Sequence, residues 1–119
     1  MKYALLAALA IGFLDPNCTI DQVCTPNYTK TVRPSSSYTN KLKRKQMDSL
    51  GLPGDMSEYE EDHIVPLVLC GHPTDPRNLV PQPWDRARKK DVLEVRFRKD
   101  VCKGKMSLKE AQEKIITYE

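Results

Sequence analysis

The stretch "YEEDHIVPLVLCGHPTDPRNLVPQ", residues 59–82, holds both histidines of the chain. His63 directly follows three carboxylates, Glu60, Glu61 and Asp62. An imidazole can take a proton from water near neutral pH, and a carboxylate beside it can hold a hard divalent cation. Neighbouring side chains on a strand point to opposite faces. Asp62 and His63 therefore converge on one site only if the backbone bends there, and Pro66 is consistent with a bend. The adjacent negative charge is expected to raise the His63 pKa, whereas a bound cation lowers it. Taken alone, an Asp-His pair also fits a surface histidine with an ion-pair partner.

The elements that must position these groups can be read from pattern. "YEEDHIVPLVL" is strand-like, with a proline that confines part of it to an edge or a bend. "CGHPTDPRN" has loop composition, which makes His72 an exposed loop histidine, and "NLVPQ" is a second short extended piece. The two strands are expected to pair as a hairpin. Before them, "SSSYTNKLKRKQMDSLGLPG" reads as a helix capped by Ser36 or Ser37 and stopped by Gly51 and Pro53, with Leu42, Met47 and Leu50 as its apolar stripe. Lys41, Lys43, Arg44 and Lys45 form its charged side, which by itself reads as a solvated face. After the hairpin, Trp84 to Val101 reads as a helix on which Ala87, Asp91, Glu94 and Arg98 share one face. Val92, Leu93 and Phe97 are its expected core side, and Trp84 is expected to plug the core. A last helix follows Ser107, with Glu110 completing a capping-box signature and Leu108, Ala111, Ile115 and Ile116 on its apolar side.

A chain of 119 residues allows one small domain with a thin core that cross-links would help. The N-terminal "MKYALLAALAIGFL" has one lysine and then an apolar run too short for an ordinary transmembrane helix. It fits a secretory signal over residues 1–14, followed by an extended, turn-rich arm over 15–37 and the main domain over 38–119. Export would make the four cysteines legible as disulfides. Their scattered spacing lacks the C-x-x-C pairs of zinc sites. Three pairings are open. The working choice joins Cys18 to Cys70, and Cys24 to Cys102 so as to tie the arm to the helical end. The net charge of +3 permits a polyanionic partner without requiring one.

The segments "EDHIVPL", "GHPTDPRNL" and "ARKKDVLE" together resemble the HNH endonuclease superfamily. The wider chain, from "CTPNYTKTVRPSSSYTNKLKRKQM" to "VCKGKMSLKEAQEKI", resembles small exported HNH-like proteins of bacteria and their phages. The resemblance implies an α+β domain with a small ββα-metal core of hairpin plus helix and flanking helices. It implies an endonuclease that hydrolyses phosphodiester bonds of DNA, or of RNA, with one divalent metal ion, Mg²⁺ or Mn²⁺ ahead of Zn²⁺. Residue by residue, Asp62 matches a metal ligand, His63 the general base and Asn78 the group whose side chain orients the histidine. The chain departs from the pattern nine positions after Asn78, where Ala87 cannot bind a metal. Asp91 is the first candidate replacement and Glu94 the second. Arg86, Arg88, Lys89 and Lys90, with Lys43 and Arg44, would meet backbone phosphates, which carry no sequence information.

Two rivals stand beside this reading. Ala87 motivates a catalytically degenerate HNH fold that only binds nucleic acid or an envelope partner. The other rival is a disulfide-stapled structural or inhibitory module, for which an absence of saturable metal binding would be the mark.

Overall fold

The computed structural model describes residues 12–118. Within them lie helices α1 (Ile20–Val23), α2 (Tyr28–Val32), α3 (Ser36–Leu50), α4 (Trp84–Cys102) and α5 (Leu108–Ile116), and strands β1 (Tyr59–His63) and β2 (Leu79–Pro83). This is an α+β domain. The strands form one antiparallel hairpin in the register Tyr59↔Pro83, Glu61↔Pro81 and His63↔Leu79. Among the described residues the sheet has two strands, each an edge, so Pro81 and Pro83 are tolerated within β2.

The hairpin lies between two helices. Successive strand residues face opposite sides: Glu61 feels the charge of Lys43 on α3, while Asp62 is bonded by Lys90 on α4. From α3, Gln46 Nε2 also donates to Leu79 O at 2.8 Å. This helix is capped by Ser35, one residue before the expected position, whose Oγ accepts from Tyr38 N at 3.2 Å. It ends at Gly51 in the left-handed region (φ 63°), which favours glycine because a Cβ is absent. In α5, Ser107 Oγ accepts from Glu110 N as the sequence leads one to expect.

The core sits to one side of the hairpin. Val65, Leu69, Val101, Ala111, Ile115 and Ile116 form its buried cluster, and Leu93, Phe97, Met106 and Leu108 pack against it. Val92, expected in the core, is 67 % exposed, because the turn of α4 that buries Lys90 points Val92 away. Trp84 is exposed as well: its indole N–H donates to Ser57 O at 2.8 Å and Arg88 lies over its ring. A ring that opens α4 sits at the rim of the hairpin, beyond the reach of the cluster.

The segment 15–37 is not extended. It folds into α1 and α2, with Thr19 capping α1 through a reciprocal bond with Gln22. Disulfides Cys18–Cys70 and Cys24–Cys102 hold it to the loop after β1 and to the end of α4. These short helices owe their order to such tethers, since isolated helices of this length are unstable in water. Most of the expected signal segment, residues 1–11, lies outside the described residues. Its last part belongs to the fold: Leu14 bridges Gly71, Phe13 O accepts from His72 N at 2.9 Å, and both side chains pack on the core. A boundary at residue 14 would cut through that contact. Among the described residues, no helix is long and apolar enough to cross a membrane.

Candidate functional site

The site begins where β1 ends. After His63 the chain turns away, so Asp62 and His63 both border one recess despite being strand neighbours. This recess, about 260 Å³, is lined by Glu60, Asp62 and His63 from β1, Asp91 and Glu94 from α4, and Thr29 and Arg33 from α2 and its end. The expected residues Asp62, His63, Asp91 and Glu94 are thus brought together. Ala87 is not part of that lining: it is a buried residue of the first turns of α4, 1 % exposed.

His63 is buried, and its Nε2 lies 2.9 Å from the carbonyl oxygen of Pro73. A carbonyl only accepts, so Nε2 carries the proton and Nδ1 is the acceptor nitrogen. Burial, followed by the charges of Arg33, Lys90 and His72, pushes the ring down to about 4, against the upward pull of its bond to Pro73. This reverses the expectation of a raised value. The physical reason is first the enclosure of the ring; Lys90 adds to it, fully buried with its Nζ 2.9 Å from Asp62 Oδ2 and 2.7 Å from His63 O. Its positive charge offsets that of Asp62 beside the ring.

The Asn78 side chain bonds backbone groups and not the imidazole. Its Oδ1 accepts from Val65 N at 2.8 Å, and its Nδ2 donates to Val65 O at 3.0 Å and to His72 O at 2.9 Å. It closes the 65–72 loop, and that loop presents Pro73 O to the histidine. Gly71 makes the closure sterically possible: a Cβ there would lie 1.6 Å from Val65 O. His72 is no loose loop residue either. Its Nδ1 accepts from Thr74 N and Asp75 N, shaping the turn toward Asn78.

The carboxylates crowd one another. Glu94 is held up at about 8 and Glu60 at about 7, in each case by burial first and then by the charge of Asp62. Glu60 Oε2 is buried with no hydrogen-bond partner. Among the described residues, no group of three His, Cys, Asp or Glu side chains is already gathered as a metal site. The donor chemistry nevertheless fits a hard divalent cation. The recess offers several carboxylate oxygens, one of them buried and unpartnered, and a cation would offset both the burial and the mutual repulsion that raise Glu60 and Glu94.

The basic residues separate. Lys90 is spent on Asp62, and Lys43, also buried, donates to Met56 O at 2.9 Å and Tyr59 O at 2.8 Å. Neither can meet phosphate; each long stem carries its ammonium into the fold to satisfy carbonyl or carboxylate oxygens. Arg86 is exposed but engages Tyr118, Arg88 lies over Trp84, Lys89 is exposed, and Arg44 borders a separate recess on α3.

The chain matches no protein-family model, no curated protein and no solved structure.

Two charged residues of the recess, Glu60 and Arg33, were not among the expected site residues. Glu60 was findable, since it sits two positions before Asp62 and so on the same strand face. Arg33 has no such signal. It arrives from the arm, placed by the two disulfides and the fold of α2.

Proposed function

We propose that this chain is an exported, HNH-type endonuclease of the ββα-metal kind, hydrolysing phosphodiester bonds of nucleic acid, DNA first, with little sequence specificity. The observation that carries the reading is the tautomer and placement of His63. Its Nε2–H is spent on Pro73 O, which leaves Nδ1 as the acceptor nitrogen of a ring that borders a recess where Glu60, Asp62, Asp91 and Glu94 meet. The ring is neutral at ordinary pH and so available to accept a proton.

In this reading His63 Nδ1 takes a proton from water, and the hydroxide attacks phosphorus in line with the leaving 3′ oxygen. Arg33 at the rim holds a phosphate oxygen. Asn78 and Gly71 keep the loop, and hence Pro73 O, in place to fix the ring. Asp62, Asp91, Glu94 and Glu60 are the oxygen donors for one divalent cation, with Mg²⁺ or Mn²⁺ favoured over Zn²⁺ by an all-carboxylate set. When bound, that ion neutralises charge on the phosphoryl group and the leaving oxygen. Two disulfides support export, because such bonds persist in oxidising compartments.

One observation favours a second reading. Lys90 already neutralises Asp62, as in a degenerate site that binds nucleic acid without cutting it. Plasmid and single-strand cleavage by the oxidised protein, with Mg²⁺, Mn²⁺, Zn²⁺ or EDTA, separates the two. Metal-dependent nicking that disappears in a folded His63→Ala variant supports the nuclease. A folded wild type that cuts nothing in any metal moves the assignment to the binding module.

A further inference from the structure

A second recess, about 400 Å³, opens beside the first and shares Thr29, Val68 and Glu94 with it. Its character differs. The wall is mainly apolar, built from Val23, Pro26, Val68, Val95 and the ring of Tyr28. Val95 follows Glu94 on α4 and is 69 % exposed, so it stands at the recess outside the core. Arg98 lies one helical turn after Glu94. Its Nε donates to Val23 O at 2.8 Å, which fixes the plane of the guanidinium, and its Nη groups have no partner among the described residues. The Cys24–Cys102 disulfide ties the facing 24–29 segment to the end of α4 and so holds the recess open.

An aromatic ring, an apolar wall and a fixed planar donor together suit a flat heteroaromatic ring that carries carbonyl oxygens. We propose that this recess is a nucleobase subsite, taking one unpaired base of the strand whose phosphate occupies the carboxylate recess. The proposal rests on the nuclease reading for the position of that phosphate. The shared wall residues place the two recesses side by side, as a phosphate and its own base are. A base paired inside a duplex cannot enter, because its faces are covered by its neighbours. The chain therefore acts on single-stranded nucleic acid, or on bases already unpaired, in preference to intact duplex. Stacking of this kind tolerates any base, and the subsite adds strand preference without adding sequence specificity.

The test is fluorescence anisotropy with oxidised His63→Ala protein in Mg²⁺ and three labelled probes: a single-stranded oligonucleotide, the same backbone with abasic residues, and the duplex. The base-bearing single strand should bind about tenfold tighter than either of the others. Tyr28→Ala should erase that preference, Tyr28→Trp should keep it, and Val95→Asp, at an exposed position, should erase it without disturbing the fold. Equal affinity for base-bearing and abasic strands overturns the subsite, as does a preference untouched by Tyr28→Ala and Val95→Asp, or a failure to bind any probe. If the wild type still nicks DNA while binding is blind to bases, the subsite fails and the nuclease stands. A base preference lost in Tyr28→Ala, from a wild type that cuts nothing in any metal, supports the subsite within a binding module.

Discussion

Lys90 and Asp62 form a buried ion pair, Nζ to Oδ2 at 2.9 Å, with the lysine side chain fully enclosed. The ammonium also caps the carbonyl of His63 at 2.7 Å, so one cation ties the end of β1 to the middle of α4. Removing one partner of such a pair leaves the other charge buried and uncompensated. Lys90→Met should therefore destabilise the fold by about 3 kcal/mol. Adding Asp62→Asn to it should restore much of the loss, because the pair acts as a unit. Urea denaturation of the four proteins of this cycle measures the coupling, and strictly additive losses would count against a pair that acts as a unit.

Asn78 should matter twice. It is fully buried and satisfies three backbone groups at once. Asn78→Ala should cost about 3 kcal/mol through the groups left unpaired. At temperatures where the variant is still folded, it should also release Pro73 O and with it the His63 tautomer. Imidazole ¹⁵N shifts report this directly: wild type should show a protonated Nε2 and a bare Nδ1, and the variant a tautomer mixture. An unchanged spectrum in folded Asn78→Ala would refute the link from Asn78 through the loop to His63.

Stability should fall as pH rises, in the absence of divalent metal. Burial holds Glu60 and Glu61 up at about 7 and Glu94 at about 8. A carboxyl whose folded pKa exceeds its unfolded one keeps its proton longer in the fold. Its contribution is present at low pH and is lost as pH rises through the folded value. His63 acts in the opposite sense, adding stability as pH climbs from about 4 toward its ordinary 6.5. Three carboxyls outweigh one imidazole, although water screens the half-buried Glu60 and Glu61. The melting temperature, followed by circular dichroism in EDTA, should drop as pH rises from about 4.5 to about 8, the span between the ordinary carboxyl value and the highest folded one. Mn²⁺ should raise it most at the upper end, where the ligands are ionised. A cation effect that is larger at low pH would contradict a carboxylate site.

Arg33 is the basic residue at the recess itself, and its charge reaches both Glu60 and His63. Arg33→Ala should weaken binding to any sequence alike and reduce the slope of log K against log salt by about 0.7–0.9, the loss of one phosphate contact. Lys43→Met removes a buried ammonium bonded to two carbonyls; it should lower stability and leave the slope alone. Wild-type binding that is flat against salt would remove nucleic acid as the partner.

The sequence by itself determined the local elements. Ser107 with Glu110, Gly51 and the two extended pieces around the Gly/Pro loop are short-range signals, and the caps, the hairpin and α4 follow from them to within a residue or so. Periodicity put Asp91 and Glu94 on one helix face, and the resemblance to HNH endonucleases joined them to Asp62 and His63, which line the same recess. Which of the three cysteine pairings forms was open in the sequence, and the tertiary structure decided it. It likewise decided where long side chains end. Lys43 and Lys90 look in sequence like their solvent-facing neighbours, yet burial turns both inward, because the carbonyls and carboxylate they meet come from segments 13 to 28 residues away. The His63 pKa moved opposite to expectation for the same reason: its value depends first on enclosure and then on the charges of Arg33 and Lys90, which come from distant parts of the chain. Arg33 and Tyr28 reach the recesses only because two disulfides and the α1–α2 segment fold the arm back over α4. Periodicity is a property of neighbours along the chain, whereas charge compensation and enclosure depend on what the fold brings from elsewhere.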